Sequence, residues 1–188
     1  AGRVLAVELD PALIAVLGDV LRGVPNVEVV QADILKFDHS AYLGGKPYKV
    51  VANLPYYITS PTLRHFLEAK VKPTCLVVLL QKEVGQRIAA RPGDMSLLAV
   101  SVQLYGDPTV VGFVPESAFF PSPKVDSAIL RIDVYDRPAV DVDPELFFKV
   151  VSAGFSQPRK QLHNALQRGM WLPPGGALQA LREAGIHE

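Results

Sequence analysis

Apolar residues along this chain follow two spacings: short unbroken runs, and segments where they recur every third or fourth position, the signatures of strands and helices. Residues 3–8 form the first run and end on Glu8. Asp10 and Pro11 follow as an N-cap and a first-turn proline, opening a helix that is expected to reach about Leu21. Second and third strands are expected at 27–31, before Ala32 and Asp33, and at 48–52, before Asn53. Thr59 or Ser60 then caps an expected helix from Pro61 to about Ala69, and 74–80 forms a fourth strand without a charged residue. Such runs suit a parallel sheet covered on both faces. Residues 83–91 read as a helix. Residues 97–105 are apolar at almost every position and fit either period, but Asp94 or Ser96 as cap and Gly106 as stop favour a helix. Strands at 109–114 and 127–134, on either side of a proline-rich stretch at 115–123, complete the regular alternation.

Alternating strands and helices predict an α/β fold, a doubly wound, mostly parallel Rossmann-like sheet over residues 1–136. Residues 137–144 read as a linker, and 145–154, 159–168 and 177–183 as helices with no strand between them. A small C-terminal helical domain is therefore expected at 137–188. The start of the chain is irregular for such a sheet. A strand ending in an acid belongs second in a nucleotide-binding sheet, its carboxylate on ribose hydroxyls, behind a strand and a Gly-rich turn. Neither precedes Glu8, so at least one βα unit, on the order of 30 residues, is expected to be missing, and cofactor affinity is expected to be weak without it.

Composition narrows the reading. Of 188 residues 49% are hydrophobic, enough for one substantial core and a small appended lobe. The 19 basic and 19 acidic residues cancel, so any nucleic acid must be held by local patches. One such surplus lies in residues 145–188, where Lys149, Arg159, Lys160, Arg168 and Arg182 face only Glu145, Glu183 and Glu188. Cys75 is the single cysteine, read as a small core residue; it excludes an internal disulfide and a cysteine zinc site and fits a reducing interior. His39, His65, His163 and His187 are scattered, and no metal is expected. No apolar stretch reaches the roughly 18 residues that span a bilayer, and no secretory leader opens the chain, so a cytoplasmic location is expected.

Ligands of open α/β sheets collect at the carboxyl ends of strands. Glu8, Asp33 and Asn53 stand at three successive ends. Glu8 offers two oxygens to ribose hydroxyls, and Asp33, with Ile34 beside it, offers an acceptor to an adenine amino group. Asn53, Leu54, Pro55 and Tyr56 resemble the N-[LIP]-P-Y signature of amino-methyltransferases, and the extended stretch 53–61 resembles that of the KsgA-type rRNA adenine dimethyltransferase family. The chemistry accounts for the residue types. An exocyclic adenine nitrogen is a poor nucleophile because its lone pair is delocalised. The Asn53 side-chain oxygen and the Leu54 carbonyl would accept its two hydrogens. Pro55 would fix the backbone that aims this carbonyl, and Tyr56 would stack on a base drawn out of its helix.

The resemblance extends over nearly all of residues 3–168. Residues 118–127 are similar to the family's F-x-P-x-P-x-V-x-S segment, which implies that Phe119 forms the other wall of the base pocket and leaves Lys124 as an RNA contact. Residues 80–84 are similar to L-Q-K-E-V, with Gln81 and Lys82 read as supporting or surface residues. Residues 155–166 are similar to F-x-x-R-R-K-x-L-x-N-x-L, with Pro158 in place of the first arginine, which removes one expected phosphate contact. Arg159, Lys160 and Arg168 are the remaining candidates for phosphate. Relatives continue beyond residue 188, so the helical domain is expected to be incomplete. The family resemblance implies S-adenosyl-L-methionine as methyl donor and direct displacement without a catalytic base. As substrate it implies two adjacent adenosines near the 3′ end of small-subunit rRNA, each methylated twice at N6 by a monomeric protein in an assembling 30S subunit. An erythromycin-resistance-type methyltransferase of large-subunit rRNA and a non-catalytic assembly factor on the same fold are the alternatives; Leu54 and the tail at 155–160 favour the first reading.

Overall fold

A computed structural model of the protein describes residues 2–186. Ala1, His187 and Glu188, at the outer ends of the two expected domains, lie outside the described residues. Along the chain run β1 (Val4–Glu8), α1 (Pro11–Val20), β2 (Val27–Gln31), α2 (His39–Leu43), β3 (Lys49–Asn53), α3 (Thr59–Leu67), β4 (Cys75–Gln81), α4 (Lys82–Ile88), α5 (Leu97–Gln103), β5 (Gly106–Val114), β6 (Ser127–Val134), α6 (Pro144–Phe155), α7 (Leu162–Gly169) and α8 (Gly176–Glu183). Local chemistry starts several of these helices. The side chains of Asp10, Ser96 and Asp143 accept from the amides of Ala12, Ala99 and Leu146 at the starts of α1, α5 and α6. Residues 97–103 thus resolve as the helix that Ser96 announced.

The strands form two hydrogen-bonded sheets rather than one. β1 and β2 pair in parallel from Val4↔Val27 to Glu8↔Gln31. The other sheet has the order β3-β4-β6-β5, in which β6 runs antiparallel to both its neighbours and β3 lies parallel to β4. Among the described residues no strand pairing joins the two, and β1 and β3 each keep one edge without a partner. Val51, on the face of β3 that alternates with half-buried Val50 and Ala52, is 82% exposed. α1, although rich in apolar side chains, buries none of them fully. With few buried apolar contacts and an open ladder, the β1-α1-β2 unit should open locally well below the free energy of global unfolding. In hydrogen–deuterium exchange the amides of β1 and β2 should therefore lose protection before those of β4 and β6; equal protection would refute this division.

The core lies on the larger sheet. Leu76, Val78 and Leu80 alternate along β4 and are buried, as are Leu130 and Ile132 of β6, Leu63 and Leu67 of α3, and Ile88 of α4. The intervening β4 residues, Cys75 included, are half-buried, so this strand is covered fully on one face only. Gly106 does not stop a helix. It begins β5, and a Cβ there would stand 2.7 Å from Ile132 Cγ2 and 2.9 Å from the Asp133 carbonyl, so glycine permits the close approach of β5 to β6. Neither Thr59 nor Ser60 caps α3. A 3₁₀ turn at Tyr56–Ile58 leads directly into the helix, which begins at Thr59, and Thr59 is buried. α2 was not anticipated; its signals were the Asp38 side chain on the Ala41 amide and a left-handed Gly44. In the helical tail α7 starts at Leu162, not at 159, because Gln157 to Lys160 form a turn around Pro158, closed by the Lys160 amide on the Gln157 carbonyl. α6 and α7 cross where a Cβ on Gly169 would lie 2.5 Å from Ala153 Cβ.

His39 is buried against His65, Phe66 and Tyr48, with ring centroids 5.2, 5.0 and 5.3 Å away. Neither of its ring nitrogens has a partner of hydrogen-bonding geometry among the described residues, and the nearby Val71 carbonyl accepts from the Tyr48 hydroxyl at 3.0 Å. Burial holds the His39 pKa below its usual 6.5, the Val71 carbonyl opposes that shift in part, and the adjacent His65 adds to it. Because the folded value is depressed, the unfolded chain takes up the proton first. The stability contributed by neutral His39 is present above pH 6.5 and is lost as pH falls below it. Melting temperature should fall on acidification from pH 7 to about 5, and His39→Phe should flatten that slope; an unchanged slope would exclude His39 as its source.

Candidate methyl-acceptor site

The expected ligand residues divide between the two sheets. Glu8 and Asp33 lie at the same end of the β1–β2 pair, drawn together by the Ala32 amide on the Glu8 carbonyl at 2.9 Å. Each carboxylate also serves its own backbone. Glu8 Oε1 accepts from the amides of Leu9 at 2.7 Å and Asp10 at 2.9 Å, and Asp33 Oδ1 accepts from Leu35 at 3.0 Å. Among the described residues Glu8 Oε2 takes no part in its turn, and Asp33 Oδ2 has only Lys36 Nζ at 3.8 Å. Both side chains thus combine the turn role common for an acid after a strand with a second oxygen suited to a hydroxyl or amino donor. Ile34 is half-buried and packs against the core.

Asn53 closes β3 and is exposed. Leu54 is buried, and its amide donates to the Leu79 carbonyl at 3.2 Å, so the turn is fastened to β4 immediately after Asn53. Pro55, with φ −56° and ψ 131°, starts the 3₁₀ turn, and its carbonyl accepts from Ile58 at 3.1 Å. Tyr56 is half-buried, and its hydroxyl lies 3.0 Å from Ser127 Oγ. Ser127, fully buried, begins β6 opposite Gln81 of β4 and Val114 of β5. The loop that carries Phe119 leaves β5 and returns to β6 at this same end of the sheet. Its 3₁₀ turn, Glu116–Ala118, hands over to an extended, half-buried Phe119 whose amide donates to the Glu116 carbonyl at 3.2 Å.

Lys82 and Asp126 fasten this end of the sheet. Lys82 Nζ stands 3.2 Å from Asp126 Oδ2 and 5.4 Å from the centre of the Phe113 ring, and the Lys82 amide donates to the Asp126 carbonyl at 3.0 Å. The bond from Lys82, with a further one from the Glu116 amide at 3.2 Å, holds the Asp126 carboxyl below its ordinary pKa. Lys82 is therefore a structural tie rather than a free surface cation. Of the two readings of Lys82, supporting or surface, the structure gives the first; Asp126, at an unspecified position of F-x-P-x-P-x-V-x-S, carries no signal in the sequence. The basic candidates sit apart. Lys124 is exposed on the Phe119 loop. Arg159 and Lys160 occupy the turn before α7, and Arg168 its last helical turn. Lys160 and Arg168 share a cleft of about 420 Å³ with Gln157, Asn164 and Gln167. Among the described residues no group of three or more His, Cys, Asp or Glu side chains could hold a metal ion, and no helix is long and apolar enough to cross a membrane.

Asn53, Leu54 and Tyr56 at the end of a parallel strand, with Phe119 on a loop at the same end, mark the Rossmann-like α/β fold of rRNA methyltransferases. Solved structures share it over almost the whole chain. The 23S rRNA methyltransferase ErmE superposes with a TM-score of 0.76 at 30% identity, covering 100% of this chain and 74% of that one. A dimethyladenosine transferase from Plasmodium falciparum also gives 0.76, at 27% identity over 96% of this chain and 63% of that one. The chain belongs to the ribosomal RNA adenine dimethylase family, whose model matches residues 1–188. Its relatives include the ribosomal RNA small subunit methyltransferase A of Dehalococcoides mccartyi strain CBDB1, 49% identical over 99% of this chain and 65% of the relative. That of Moorella thermoacetica is 43% identical over 99% of this chain and 68% of the relative. The chain thus spans about two thirds of the length of these curated relatives.

Proposed function

We propose that the protein carrying this chain transfers methyl groups to N6 of two adjacent adenosines near the 3′ end of small-subunit rRNA during subunit assembly, with S-adenosyl-L-methionine as donor. The observation that carries the reading is the placement of Asn53, exposed at a strand end, in a turn fixed by Leu54 on β4 and by Tyr56 on β6. The donor fits the carboxylates available to it. Glu8 Oε2 and Asp33 Oδ2, at one end of β1–β2, suit ribose hydroxyls and an adenine amino group, with Ile34 alongside. When bound, the donor supplies an electrophilic methyl on a sulfonium that departs readily. The protein's own part is positioning. Asn53 Oδ1 and the Leu54 carbonyl accept the two amino hydrogens and favour a pyramidal nitrogen, while Tyr56 and Phe119 hold the extruded ring. No side chain is needed as base, since the proton can leave after the methyl arrives. Arg159, Lys160, Arg168 and Lys124 are assigned to the phosphate backbone, where they contribute position without sequence preference.

The small subunit is favoured over the large one by the 49% identity to a small-subunit methyltransferase, against 30% to ErmE. Purified protein should methylate 30S precursors and leave 50S precursors unlabelled when each is offered with radiolabelled donor. Labelling of the large-subunit RNA alone would transfer the assignment to the resistance-type enzymes. Donor binding without methylation of either RNA would leave the non-catalytic reading.

A further inference from the structure

The two aromatic rings assigned to the target base come from segments more than sixty positions apart, yet both are fastened to one dipeptide. Tyr56 Oη lies 3.0 Å from Ser127 Oγ, and Ser127 is fixed between Gln81 and Val114 on the flanking strands. One residue earlier, Asp126 is held to α4 by its carbonyl on the Lys82 amide and by its Oδ2 on Lys82 Nζ. Its Oδ1 accepts from the Glu116 amide at 3.2 Å, and the Glu116 carbonyl in turn accepts from the Phe119 amide at 3.2 Å and from Ser122 Oγ at 2.9 Å. A path of three hydrogen bonds, joined through the backbone of Asp126–Ser127 and of Glu116, thus runs from the Tyr56 hydroxyl to the backbone of Phe119. We propose that Asp126 and Ser127 are positioning residues which set the gap between the Tyr56 and Phe119 rings, and with it the orientation of the adenine held there.

The inference rests on the reading of these rings as the walls of the base site. Stacking orients a base only if the rings themselves are held. A half-buried tyrosine whose hydroxyl is tied to a buried strand residue keeps a single ring position. Without that tie the ring swings about its side-chain torsions, and the amino nitrogen departs from the line of attack. Ser127 touches neither substrate nor donor under this reading, so its effect should travel entirely through Tyr56; that of Asp126 should travel through the Phe119 loop.

Two double-mutant cycles on methyl transfer to small-subunit precursors test this. Ser127→Ala should lower kcat about tenfold and leave the KM for the donor unchanged. Tyr56→Phe, which removes only the hydroxyl, should have the same effect, and the double variant should be no slower than either single one. Likewise Asp126→Ala should lower kcat in the wild-type background and have no further effect beside Phe119→Ala. Losses that multiply in both cycles, or wild-type kcat in Ser127→Ala and Asp126→Ala, would overturn the inference. Should Ser127→Ala fail to fold, Tyr56→Phe reads the same bond from its half-buried end: a tenfold loss supports the tie and a wild-type rate overturns it. An unmutated protein that transfers no methyl to RNA would overturn the functional reading itself, whereas an active one with multiplying losses overturns the positioning role alone.

Discussion

Replacing Asn53 by Ala should nearly abolish methyl transfer, with kcat reduced by about 10²–10³-fold, the usual effect of removing one preorganised polar group aimed at developing charge. The side chain is exposed at the end of β3, so its loss opens no cavity and the fold should survive. An unchanged melting temperature beside a collapsed rate would separate acceptor chemistry from stability. The backbone acceptor at Leu54 remains in this variant, held by the Leu54 amide on Leu79, which accounts for a residual rate. Near-normal turnover in Asn53→Ala would remove the amide from the reaction and leave the turn with a structural role only.

Leu80→Ala should have the largest effect on stability. Leu80 is wholly buried near the end of β4, beneath α4, where the position of a Cβ on Gly85 would be 3.0 Å from Leu80 Cδ1. Neighbours packed this closely around a strand cannot collapse into the space left by the deleted methyls, so the cost combines lost transfer energy with a persistent cavity, about 2–5 kcal/mol. Against a total of roughly 5–15 kcal/mol, that is enough to bring a domain near its unfolding threshold. The urea midpoint should fall with an unchanged slope. A loss below about 1 kcal/mol would mean that the core at this end of the sheet is looser than the side-chain burial implies.

What could be read from the sequence follows from the range of the interactions. The caps at Asp10 and Ser96 act over two or three residues, and the strands at 27–31 and 127–134 are stated by their own composition, so these elements stand where the pattern put them. The Asn53 to Tyr56 turn was legible because its chemistry is concentrated in four consecutive positions. Pairing was not legible. Nothing local in residues 3–53 says that β1 and β2 hydrogen-bond to each other but to no strand of the larger sheet. Gly106 looked like a helix stop because the sequence does not show that Ile132 crowds it. The Tyr56–Ser127 bond spans 71 positions, and only the fold brings its ends together. Arg159 and Lys160 stand on a turn and not on a helix because Pro158 interrupts the helical backbone before them as well as removing a cation.

The division of the strands bears on how donor and acceptor are aligned. The carboxylates assigned to the methyl donor stand on one platform and the amide assigned to the acceptor on another, and the described backbone contains no ladder across the seam between them. A ligand that touches both would span that seam, and because it binds only the folded arrangement its occupancy would add to the stability of the folded protein.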